Sequence, residues 1–178
     1  MFINSNYRLN FSLLLDFVSI SFAYLTTTIA LCVYIFTFSY FRYEPLVERL
    51  VLFLNSFILS MVLLVSSGNM VVMFLGWELI GMTSFFLINF WSSRIGTLKS
   101  AFKAYSFNKL SDVFIFLSCV LVFNVFYSLD LVTIINSVHL YVQYDVSFGF
   151  FKVPYLDVLG SSLLGAAFIK SAQFGAHV

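Results

Sequence analysis

Long apolar blocks, broken at intervals by short polar and charged clusters, run the length of this 178-residue chain. A helix crossing a hydrocarbon layer needs about 20 predominantly apolar residues. Blocks at about 17–41, 50–66, 69–91, 104–127 and 157–178 suit that requirement. They predict about five transmembrane helices within a single membrane-embedded segment, residues 1–178. The polar turn "RYEPLVER" separates the first two blocks, and "SSGN" at 66–69 separates the second from the third. A basic stretch with Arg94, Lys99 and Lys103 leads into the fourth. Residues 128–155 carry Asp130, Asp145, Lys152 and Pro154 among apolar neighbours and read as a re-entrant or surface connection, with room for an interfacial helix.

Composition supports this reading. Hydrophobic residues make up 61% of the chain and charged residues 10%, where soluble domains carry about 25% charged residues. The mean hydropathy is +1.00. The fold class expected is therefore an all-α polytopic membrane protein. A net charge of +1 offers no electrostatic footprint for nucleic acid. Five spans put the chain ends on opposite sides, with Arg42, Arg49, Arg94, Lys99 and Lys103 on one side and Arg8 and Lys152 on the other. The positive-inside rule turns the first set toward the matrix or cytoplasm.

The rare charges inside the blocks carry the candidate chemistry. In "MVVMFLGWELIGMTSFFLINFW", residues 70–91, Glu78 is the one charged side chain. A rise of 1.5 Å per residue puts it roughly 13.5 Å from Asn69, near the middle of a layer about 30 Å thick. A bare carboxylate there is strongly disfavoured, so it must be protonated, hydrated or paired with a cation from another helix. Lys170, within "LLGAAFIKSAQFGA", is the natural partner, since the small residues around it permit close helix approach and a local break. Lys109 and Asp112 stand at i and i+3 and share a helix face. Lys103 lies close enough to the membrane to extend a polar chain inward, whereas Lys99 reads as solvated. His177 has the right chemistry for proton relay. The residues alone leave bland alternatives open: a structural Glu78, a snorkelling Lys170, a purely structural Lys109–Asp112 pair.

Cys32 and Cys119 are far apart and read as small core residues. No phosphate-binding loop, dinucleotide fingerprint, nucleophile elbow or His/Cys cluster occurs. Neither catalytic, cofactor-binding nor metal-ligating residues are therefore expected in this chain. Protonatable groups at membrane depth point to the movement of protons or cations.

From "FSLLLDFVSI" through "GWELIGMTSFFLINFWSSR" and "AFKAYSFNKLSD" to "GAAFIKSAQFGAH", the chain resembles chain 5 of NADH:ubiquinone oxidoreductase, the antiporter-like membrane subunit of respiratory complex I. The resemblance implies part of an antiporter-like repeat with a discontinuous last helix, in the mitochondrial inner membrane rather than a bacterial plasma membrane. It implies a Glu–Lys pair in a proton-translocating half-channel, matched here by Glu78 and Lys170. Asn108 to Asp112 match the family's N-R-x-G-D, with Lys109 in place of Arg and Ser111 in place of Gly, and Lys103 matches the lysine of A-x-K-A. The implied partners are the other complex I membrane subunits, membrane lipids, and a separate polypeptide carrying the rest of the same subunit, because the family extends beyond both ends of this sequence. NADH, flavin, iron-sulfur clusters and ubiquinone are expected in other subunits. A subunit of a multi-subunit sodium/proton antiporter, and a structural scaffold piece whose charges only fix helix packing, are the competing readings.

Overall fold

The computed structural model describes residues 11–142, 144–148 and 151–173. Apolar blocks become helices because, in hydrocarbon, a helix satisfies every backbone N–H and C=O within one segment. The chain runs α1 (Phe17–Tyr40), α2 (Val47–Val65), α3 (Met70–Ile88), α4 (Ile95–Phe126), α5 (Leu131–Ser137) with a 3-10 turn at Val138–Tyr141, then β1 (Asp145–Phe148), β2 (Phe151–Pro154) and α6 (Tyr155–Lys170). Among the described residues four helices, α1 to α4, are long and apolar enough to cross a membrane. They pack in series, α1 on α2, α2 on α3 and α3 on α4, and α6 packs on α4.

The two ends of the bundle are fixed by different chemistry. At one end, the loop after α1 meets the loop after α3 through rings, with Phe41 against Phe90 and Trp91 and the Arg94 guanidinium over Trp91. At the other end the backbone closes on itself. Leu14 N–H donates to Ser66 O, Gly68 N–H to Ser12 O, Met70 N–H to Leu129 O and Leu131 N–H to Gly68 O. Asn69 caps α3, its Oδ1 accepting from Val71 N–H at 3.0 Å, and its Nδ2 donates to Asp130 at 3.2 Å. Arg42, Arg49 and Arg94 thus gather at the aromatic end, and Lys152 at the other.

Close approach is set by small residues, which is how helices pack without a hydrophobic driving force between them. A Cβ on Gly76 would lie 2.8 Å from Leu64 Cα, so α2 and α3 meet at backbone distance. Ala101, Ser111 and Ser118 of α4 and Ala166 of α6 are completely buried. On α1, by contrast, Thr26, Thr27, Thr28 and Thr37 turn their hydroxyls onto carbonyls three or four residues back, so an outward-facing helix carries them without orphaned donors.

Several boundaries differ from those read from the sequence. α4 begins at Ile95 rather than near residue 104, so Lys99 and Lys103 lie on the helix that carries Lys109. The described residues between 128 and 155 form a short helix, a 3-10 turn and two antiparallel strands, which pair Asp145 with Pro154 and Val146 with Val153. The last helix occupies Tyr155–Lys170 rather than 157–178. Its end is a Schellman motif: Gln173 N–H donates to Phe168 O and Ala172 N–H to Ile169 O, with Ala172 at φ 50° where glycine is usual. Cys32 is exposed on α1 instead of sitting in a core, since α1 is the edge of the bundle, and Cys119 is half-buried.

Candidate functional site

Glu78 sits at the centre of α3, whose next turn is opened by Gly81. There a Cβ would come within 3.6 Å of Asn108 Cβ, so α4 passes close by. Asn108 Nδ2 donates to Ser84 Oγ at 3.3 Å across the same contact. The next residue, Lys109, consequently points at α3, and its Nζ donates to Glu78 Oε1 at 2.9 Å. The same ammonium lies 3.1 Å from Asp112 Oδ2, one turn along α4. One cation therefore stands between two carboxylates. More than a third of the Glu78 and Lys109 side chains is accessible, while Asp112 keeps 9%. Asp112 Oδ1 is buried and has no hydrogen-bond partner among the described residues.

α6 brings the second lysine to the same level. It runs antiparallel to α4, with the Tyr155 hydroxyl donating to Leu121 O near its start and Ser111 Oγ donating to Ala166 O at 3.0 Å near its end. The helix stops at Lys170, beside the middle of α3. A cation in the last turn is favoured by the unsatisfied carbonyls and dipole of that end. Lys170 Nζ donates to the backbone carbonyl of Trp77 at 2.8 Å and lies 4.0 Å from the centre of the Trp77 ring. The Trp77 indole N–H in turn donates to Ser111 Oγ at 3.2 Å. Asp112 follows Ser111 on α4, next to the hydroxyl that accepts the Trp77 indole N–H.

The expected partners are thus gathered into one band but paired differently. The Glu78 carboxylate is held by Lys109, and Lys170 is held by Trp77, the residue before Glu78. Counting Glu78, Lys109, Asp112 and Lys170 together, the formal charges balance, as a cluster at membrane depth requires. Lys103, six residues before Lys109 on α4, is exposed and joins no ion pair among the described residues. His177 lies outside the described residues. Trp77 and Ser111 were not read from the sequence as site residues. An indole N–H inside an apolar run must find an acceptor, and that was the available signal. Among the described residues no three His, Cys, Asp or Glu side chains come together to hold a metal.

Residues 67–178 match the family model described as NADH:quinone oxidoreductase/Mrp antiporter, TM. Residues 2–53 match the one described as NADH-Ubiquinone oxidoreductase (complex I), chain 5 N-terminus. NADH-ubiquinone oxidoreductase chain 5 of Paramecium tetraurelia is 48% identical over 99% of this chain and 31% of its own length. The chain 5 proteins of Acanthamoeba castellanii and Candida albicans are each 36% identical, over 96% and 94% of this chain and 25% and 28% of their own lengths. The chain spans less than a third of the length of these curated relatives.

Proposed function

This chain belongs to the NADH:quinone oxidoreductase/Mrp antiporter transmembrane family, and from that premise we propose that it forms part of the proton-translocating membrane arm of respiratory complex I in the mitochondrial inner membrane. The observation that carries the proposal is a charge cluster at mid-helix depth, with Lys109 shared by Glu78 and Asp112 and Lys170 poised at the end of a helix that stops beside them. Charged groups at that depth are costly even when paired, and proton relay is a common use of those that occur.

In this reading Glu78 and Lys170 do not exchange a direct bond; Lys109 communicates between them. A proton arriving on Glu78 removes its hold on Lys109, which then moves wholly onto Asp112. The positive charge now beside Asp112 cancels its attraction for Lys170, and Lys170 passes its proton onward. Loss of the proton from Glu78 returns Lys109 to its shared position, and Lys170 then takes up a new proton, which restores the starting state. Lys109 replaces the arginine expected from the family pattern, and an ammonium on a flexible stem suits a side chain that must change partners better than a planar fork does. The redox chemistry that drives the cycle belongs to other subunits, and the remaining length seen in the relatives, on this polypeptide or another, completes the path. The membrane subunits of the complex are the protein partners.

The match of residues 2–53 to the complex I chain 5 N-terminus favours this reading over a sodium/proton antiporter subunit. NADH-driven proton translocation by the assembled complex carrying Glu78→Gln tests it. Translocation lost with assembly intact is the expected result. Translocation at the unmodified rate would overturn the mechanism, and sodium-dependent proton exchange without NADH oxidation would move the assignment to the antiporters.

A further inference from the structure

We propose that Trp77 is the positioning residue of Lys170 and that Ser111 is the brace holding Trp77 in place. The inference rests on the reading of Lys170 as a proton carrier. Lys170 makes no ion pair among the described residues. Its ammonium is instead bound by the Trp77 carbonyl and lies over the indole face, at 2.8 and 4.0 Å. A ring face attracts a cation through its quadrupole, most strongly where water is excluded, and tryptophan does so best. Such a hold orients the ammonium without a direct carboxylate contact.

The ring is itself fixed. Its N–H donates to Ser111 Oγ, and the Ser111 hydroxyl donates to Ala166 O, one turn before Lys170. Ser111 is completely buried, so neither bond competes with water. Trp77, Ser111 and Ala166 therefore tie α3, α4 and α6 together at the level where Lys170 must be aimed. The other charged groups of the band, Asp112 and Lys109 on α4 and Glu78 on α3, supply the field; Trp77 supplies the geometry.

The test is NADH-driven proton translocation by the assembled complex in vesicles, per unit of assembled complex, for Trp77→Met, Trp77→Phe, Ser111→Ala and Lys170→Met. Trp77→Met fills the space without a ring and is expected to lower translocation by about fivefold. Trp77→Phe restores a ring face and recovers most of that loss, and Ser111→Ala, which frees the ring, lowers the rate about twofold. Equal rates for Met and Phe at position 77 would show that only volume matters and overturn the positioning role. If Trp77→Met fails to assemble, Ser111→Ala decides, an unmodified rate overturning the proposal. Translocation unaffected in Lys170→Met would instead remove the proton-carrier reading, whatever the Trp77 variants do.

Discussion

α1 and α4 are both long apolar helices of nearly equal hydropathy, yet they do different things. In α1 only 6% of the most apolar stretch is buried, against 28% in α4. The threonine hydroxyls of α1 fold onto its own backbone, and the Tyr34 hydroxyl reaches α2 at the Asn55 side chain, whereas the completely buried Ser111 of α4 bonds the backbone of α6. α1 carries no charge between Phe17 and Tyr40, while α4 places Lys109 and Asp112 at mid-length. Hydropathy finds both helices and does not tell them apart. What separates them is where small residues let a neighbour's backbone come close, because there a buried polar group can reach a backbone partner on another helix.

That contrast can be broken by substitutions of graded size. The largest effect is expected from Gly76→Leu, whose side chain has no room against the Leu64 backbone. It should separate α2 from α3 at a cost above about 3 kcal/mol, beyond ordinary overpacking, and the complex should vanish from native gels. Ala166→Leu, at a completely buried position between α6 and α4, should cost about 1–3 kcal/mol, seen as an earlier thermal loss of the assembled complex. Ala172→Gly should act in the opposite direction, stabilising by about 1 kcal/mol, because the left-handed turn that ends α6 strains an alanine. Thr27→Leu, on the exposed face of α1, should change stability by less than about 0.5 kcal/mol. A large effect there would mean that α1 is an interface rather than a lipid-facing edge.

Much of this was legible in the sequence, for physical reasons that also mark the limit. A charge-free block needs no knowledge of its neighbours, so the bounds of α1 to α3 were readable to within a few residues. The i, i+3 spacing of Lys109 and Asp112 likewise fixes a shared face on any helix. The start of α4 was not readable, because Lys99 and Lys103 look like a loop unless one knows that a helix can project past the apolar layer. The choice of Lys109 over Lys170 as the partner of Glu78 depends on helix rotation, which Gly81 and Asn108 set by contact across α3 and α4. The seat of Lys170 on Trp77 was hidden for a similar reason. A backbone carbonyl is present at every residue, so only the packed structure distinguishes the one that is used. The strands at 145–148 and 151–154 gave no clear alternation to separate them from a surface connection.

The central claim is that Lys109 couples Glu78 to Asp112 and, through Asp112, to Lys170. The most direct measurement is the rate of NADH-driven proton translocation in vesicles containing the complex with Lys109→Met, beside Lys109→Arg. The account requires the neutral variant to assemble and lose translocation, and the arginine variant, which keeps the charge, to retain much of it. A Lys109→Met complex that translocates protons at the unmodified rate would contradict the account.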